Sequence, residues 1–188
     1  RRAGAGGRGA GSLLEAWRQL NLPGGRGETF SVGPGFGRDL GIAARRGDTE
    51  ALGMVEITGR YQGNLHCSVR HGPSGSVLQT DAPRDNQGQG EAFSPTDLVA
   101  TALGTCIATT MAIAARKHGV ELRGLTFAVR KEMAPDLPRR IGRLVTEVRV
   151  PLPADHPAAQ PLMGAARACP VHRSLHPDID APITFQWE

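Results

Sequence analysis

The chain has 188 residues, of which 39% are hydrophobic, with 25 glycines, 14 prolines and a formal net charge of +4. That length suits one domain with a tail to spare, and the hydrophobic share is enough for a core. Three cysteines are too few and too odd in number for a secreted disulfide framework, which predicts a reducing, cytosolic setting.

Residues 1–53 are rich in Gly and Arg and carry one short helical pattern, Leu13 to Leu20. The basic opening has its apolar stretch broken by Glu15 and Arg18, so it does not read as a signal peptide. Such a segment buries too little apolar surface to offset its ordering entropy. We expect a flexible tail, or an over-extended start with the natural chain beginning at Met54, the first methionine. The GPGFGRD run within it follows no strand and is rejected as a nucleotide loop.

From Met54 the patterning is regular. Met54–Tyr61 and Asn64–Arg70 alternate as strands, and the cluster Gly72-Pro73-Ser74-Gly75 turns the chain into Val77–Asp81. After a polar loop, Ser94-Pro95-Thr96-Asp97 announces a helix: Ser94 as N-cap, Pro95 in the first helical position, Asp97 in the first turn. Gly119 ends it after His118. This helix is apolar on nearly every face, from Leu98 through Ile107 and Met111 to Ala115, which places it in the middle of a domain. It also lacks an uninterrupted apolar run of about 18 residues, which argues against a membrane span. Strands Leu125–Glu132 and Arg143–Val150, a helix from Pro157 to Ala168, a short helical piece after Cys169-Pro170 and a last strand Ile183–Trp187 complete the order. The predicted fold is α+β, with antiparallel sheets wrapped around a long central helix over 54–188. Arginines are concentrated in the tail and otherwise scattered, and aromatics make up only 4%, so nucleic-acid binding is not expected.

Cys106 lies about three turns into the central helix. A cysteine there is either a small core hydrophobe or a thiolate that needs a cation from another segment. Cys169 sits at a helix end before Pro170, flanked by Arg167, His172 and Arg173, a setting for a lowered thiol pKa or an accessible resolving thiol. The two are too distant in sequence for a CxxC site, so any pairing is tertiary. Cys169, His172 and His176 also share a spacing that suits a zinc face, with Cys106 required as the fourth ligand. Cys67 reads as an ordinary strand residue. Lys131-Glu132 and Pro138-Arg139-Arg140 read as the exposed rim of a hairpin.

Phe93-Ser94-Pro95-Thr96-Asp97-Leu98 followed by Ala102-Leu103-Gly104-Thr105-Cys106, with Ala168-Cys169-Pro170 and Thr80-Asp81-Ala82-Pro83, resembles the OsmC/Ohr peroxidase family. The resemblance runs from about Gly59 to Trp187. It implies an intertwined homodimer with active sites at the interface, and no metal or cofactor. It further implies reduction of a hydroperoxide by Cys106 as the peroxidatic thiol, Cys169 as the resolving thiol, and an external dithiol as reductant. The family's catalytic arginine comes from an early strand or hairpin; Arg70 is the nearest equivalent and Arg84 the second. Thr96 stands where Ohr-type members carry Glu, and Asp97, on the opposite side of the helix from Cys106, reads as an N-terminal helix acid. The rival reading is a non-enzymatic member that binds a hydrophobic ligand in an apolar interface pocket.

Overall fold

A computed structural model describes residues 54–188, and the tail or over-extended start expected over 1–53 lies outside the described residues. Strands β1 (Ile57–Gly63), β2 (His66–His71) and β3 (Val77–Thr80) form an antiparallel meander in that order. The β1–β2 connection is a two-residue turn, Asn64-Leu65, with both residues at positive φ, the geometry that matches the twist of a hairpin. Strand alternation puts Ile57, Tyr61, Val69 and Leu78 on one face of this sheet and Thr58, Ser68, Arg70 and Gln79 on the other.

After a 3₁₀ turn (Arg84–Asn86), the long helix α1 spans Pro95–Lys117. Its start is a complete capping box. Ser94 Oγ accepts from the Asp97 amide at 3.1 Å, and Asp97 Oδ2 accepts from the Ser94 amide at 2.8 Å. Arg116 and Lys117 in the last turn complement the helix dipole, and Gly119 at φ 69° carries the chain off the end. There follow β4 (Thr126–Met133), β5 (Ile141–Val150), helices α2 (Ala159–Arg167) and α3 (Pro170–Arg173), and β6 (Ile183–Trp187).

The second sheet runs β4-β5-β6, with β4 antiparallel to β5 and β6 parallel to it. The all-antiparallel expectation therefore fails at β6. The chain passes through α2 and α3 before returning, a crossover that lands the strand in the same direction as β5. Along β5 the residues Leu144, Thr146, Val148 and Val150 are buried in alternation and meet Leu103, Ile107 and Met111 of α1 in one core with Leu162 of α2.

Contact with α1 comes from β4, β5, α2 and α3, whereas the β1–β3 sheet makes no extensive contact with it. One sheet, not two, covers the helix within a protomer. Its other side stays open: Ile113 on α1 is 54% exposed, and Phe93 just before it is 52% exposed. By length and composition α1 could cross a membrane, but its buried flank is the core of the domain.

The helix–sheet approach is close at Gly104. A Cβ there would lie 2.4 Å from Phe127 Cε2 and 3.0 Å from Val129 Cγ2. Gly→Ala in a helix ordinarily gains about 1 kcal/mol, but overpacking a helix–sheet contact costs about 1–3 kcal/mol. Gly104→Ala should therefore be destabilising in urea unfolding despite the better helix propensity. Ser94→Ala should lose about 1 kcal/mol through the cap.

Candidate active site

Cys106 projects from the middle of α1, half-buried at the edge of the core. Thr110 Oγ1 donates to the Cys106 carbonyl at 3.0 Å, one of several hydroxyls that satisfy themselves on this helix without leaving it. Cys169 sits at the junction of α2 and α3. Its amide donates to the Ala166 carbonyl at 3.2 Å, its carbonyl accepts from the Arg173 amide at 3.0 Å, and it occupies the N-cap position of α3 with Pro170 next. Because α2 and α3 both pack on α1, this junction is carried to the flank of the long helix that bears Cys106.

The two thiols are neighbours, both free. Burial pushes the Cys169 thiol up, and the adjacent Cys106 raises it further; the backbone N–H groups of His172 and Val171 pull partly the other way. Burial thus makes Cys169 a thiol that holds its proton.

This corrects the expectation of a lowered pKa or an accessible thiol at position 169. Cys169 is 0% exposed. Arg167 and Arg173 are neighbours in sequence, yet both side chains lie on the exposed side, and desolvation dominates. The zinc arrangement does not form either. The His172 ring nitrogen Nε2 donates to the Ala181 carbonyl at 3.0 Å, His176 is exposed beside Asp178, and among the described residues no cluster is suited to a metal ion.

Arg70 lies on the polar face of β2 with its guanidinium against Gly75, and no hydrogen bond or ion pair among the described residues joins it to either cysteine. Arg84 is exposed and spends its Nε on the Gln89 carbonyl at 2.9 Å. Cys67 stands in β2 between Tyr61 and Thr80, an ordinary strand position.

Asp97 is the N-terminal helix acid expected, and it also closes the capping box with Ser94. Burial works to raise its pKa, but hydrogen bonds from Lys131 and Ser94 outweigh this and hold the carboxyl below the usual range. Lys131 departs from the expectation of an exposed rim. Its ammonium bonds Asp97 Oδ1 at 2.5 Å and Thr96 Oγ1 at 2.8 Å, with the side chain only 16% exposed. The signal for this was present in the alternation of β4, where Phe127, Val129 and Lys131 share one face.

These residues line an open cavity of about 670 Å³, floored by Phe93, Ala100, Phe127 and Val129 and edged by the Lys131–Asp97 pair. Neither cysteine reaches it. One wall is the segment after β3, folded around the fully buried Asp81. That carboxylate accepts from the amides of Glu91 at 3.0 Å and Gln89 at 3.1 Å. The Glu91 amide does most to hold its pKa low, against burial, with His66 helping.

The unequal pair has a direct chemical readout. Thiolate, not thiol, is alkylated, and Cys169 is both buried and held protonated, so iodoacetamide added to reduced protein should modify the half-buried Cys106 well before Cys169. Cys169 should stay slow as the pH rises through the usual thiol range of about 8.5. Peptide mapping of partly alkylated protein reads the order; faster modification of Cys169 would contradict the geometry.

Comparison with known proteins fits this arrangement. Residues 88–183 match the family model for OsmC-like protein. A crystal structure from Psychrobacter arcticus 273-4, of a protein named for osmotic stress induction and detoxification response, is 40% identical. The match covers 70% of this chain and 94% of that one, with a TM-score of 0.64. An organic hydroperoxide resistance protein OsmC from Legionella pneumophila shares the fold at 15% identity, covering 71% and 96% of the two chains with a TM-score of 0.58. So does a protein named for organic hydroperoxide resistance from Vibrio cholerae, with captopril bound in one of its active sites. It is 18% identical over 69% and 90% of the chains, with a TM-score of 0.57. No curated protein matches the chain. With a family model spanning half the sequence and a 40% identical relative over nearly its whole length, the chain belongs to the OsmC-like family.

Proposed function

We propose that this protein is a cytoplasmic thiol peroxidase that reduces organic hydroperoxides. The observation that carries the reading is the meeting of Cys106 and Cys169, far apart in sequence, as a half-buried thiol beside a buried one that retains its proton. The Cys106 thiolate attacks the O–O bond of the hydroperoxide, taking one oxygen as a sulfenic acid and releasing the alcohol. The Cys169 sulfur then attacks the sulfenic sulfur. Water leaves and a Cys106–Cys169 disulfide forms before a second peroxide can carry Cys106 to the irreversible sulfinic acid. An external dithiol restores both thiols by exchange.

The thiolate and the departing oxygen anion require a cation. Arg70 is the residue proposed for that task, delivered across a homodimer interface, since within one protomer it touches neither cysteine. The dimer is supported by two faces left uncovered in the protomer. One is the apolar side of β1–β3, where Ile57 is 65% and Tyr61 62% exposed; the other is the open side of α1. An apolar site favours an organic tail over hydrogen peroxide, at about 25 cal/mol per Å² of tail buried.

The 670 Å³ cavity supports a second reading, in which the fold binds a hydrophobic ligand and the cysteines are incidental, because its lining excludes both thiols.

One equivalent of cumene hydroperoxide added to reduced protein should consume two thiols and give a Cys106–Cys169 peptide by mass spectrometry, and Cys106→Ser should abolish both. If all thiols stay reduced while a hydrophobic probe still binds, the second reading replaces the first. Arg70→Ala should slow the oxidation by about 10²-fold or more without changing the thiol count. Sedimentation should give twice the 19.9 kDa chain mass, and Leu78→Glu should shift it toward monomer.

A further inference from the structure

The two sulfurs of a Cys106–Cys169 bond differ sharply in what surrounds them, and that difference selects the one a reductant can reach. Resting on the peroxidase reading above, we propose that the external dithiol attacks the Cys106 sulfur, so that the transient mixed disulfide forms on Cys106 and Cys169 is the leaving thiolate.

Thiol–disulfide exchange proceeds with the attacking, central and leaving sulfurs roughly in line. Cys169 is 0% exposed, closed in by the end of α2, the start of α3 and the flank of α1. Cys169 belongs to the same fully buried cluster as Ala166 and Leu162, so an attacker aimed at its sulfur meets packed core. Cys106 is half-buried, and Ala102 and Thr109, on either side of it along the same flank of α1, are exposed. Within the protomer the line through Cys106 to Cys169 is therefore the open one, and in the proposed dimer it is the side by which the hydroperoxide itself must reach Cys106.

Leaving-group chemistry opposes this choice in part. Burial raises the Cys169 thiol, and a higher leaving-group pKa slows its departure. With a Brønsted slope of about 0.4–0.5, each pKa unit costs about threefold in rate. Closure of the path to a buried sulfur costs far more, because the attacker then waits for local opening of the core. The charge that develops on Cys169 is also met locally. Pro170 has no N–H, so the first amides of α3 are those of Val171 and His172, and both act on the Cys169 sulfur in the direction that favours its thiolate. The His172 ring, bonded to the Ala181 carbonyl, anchors this turn to the chain leading into β6.

The first thiolate of the dithiol bonds to the Cys106 sulfur, the Cys106–Cys169 bond breaks, and its electron pair leaves on Cys169, which takes up a proton. The second thiolate of the reductant then attacks its own mixed-disulfide sulfur, closing the reductant's disulfide and releasing Cys106 as thiolate. Cys169 never bonds to the reductant.

The test uses wild-type protein oxidised in parallel with one equivalent of cumene hydroperoxide and with diamide. It is then exposed briefly to glutathione, whose single sulfur cannot complete the exchange. Acid quenching, alkylation with N-ethylmaleimide and peptide mapping locate the adduct. At the earliest times glutathione should sit on Cys106 with maleimide on Cys169, in at least tenfold excess over the reverse. An adduct mainly on Cys169, or equal on the two, overturns the proposal. If diamide makes the bond and hydroperoxide does not, the peroxidase reading fails, while the diamide sample still reports which sulfur is attacked. If neither oxidant makes the bond, both fall.

Discussion

The structure depends on how one helix is covered. The α1 sequence is apolar on nearly every side, and an all-round apolar helix is stable in water only when other surfaces close over each side of it. Within the protomer, β4, β5, α2 and α3 cover one flank, burying Leu103, Ile107 and Met111 completely. Covering that flank brings the α2–α3 junction onto the helix, and Cys169 with it. The cysteine pair follows from core packing: the turn that seals the core also carries the second sulfur.

The same burial sets the inequality between the thiols. Cys169 meets no exposed charge that would favour its thiolate, and desolvation outweighs the help of two backbone amides. Cys106, at the edge of the covered flank, keeps contact with both the core and the outside. An asymmetric pair of this kind separates roles without any further residue. In the proposed cycle the half-buried sulfur meets what comes from solution, and the buried one acts only on its neighbour.

Much of this was legible in the sequence, wherever local chemistry decides the outcome. Ser94-Pro95-Thr96-Asp97 writes out its own capping box, and the alternation of Ile141–Val150 identifies its buried face. What failed was inference from neighbours along the chain. Arg167 and Arg173 flank Cys169 in sequence, but on a helix end they point outward, so their charge does not reach the sulfur that burial governs. Lys131 looked like a hairpin rim because a lysine on a strand is usually solvated. Its depth depends on α1 starting directly opposite, with Thr96 and Asp97 there to receive the ammonium. The parallel pairing of β6 is a property of the crossover through α2 and α3, and strand patterning carries no record of it.

The commitment of these charges bears on where an activating cation can come from. The position that carries Glu in the resembled Ohr-type members is Thr96 here, and it is already bonded to Lys131, which also neutralises Asp97. That polar cluster sits on the cavity side of α1, away from the flank that carries the cysteines. Arg84 is tied to a carbonyl of its own loop, whereas Arg70 stands exposed on a sheet whose apolar face has no cover within the protomer. Covering that face and covering the open side of α1 are the same physical requirement. If each is met by the other's counterpart in a second chain, the face of Ile57, Tyr61, Val69 and Leu78 lies on α1, and Arg70, on the opposite face of the same sheet, reaches Cys106 only around the turn over 72–75. Packing of the dimer would then supply the cover for both faces, and the turn after β2 the path by which the charge reaches the thiol.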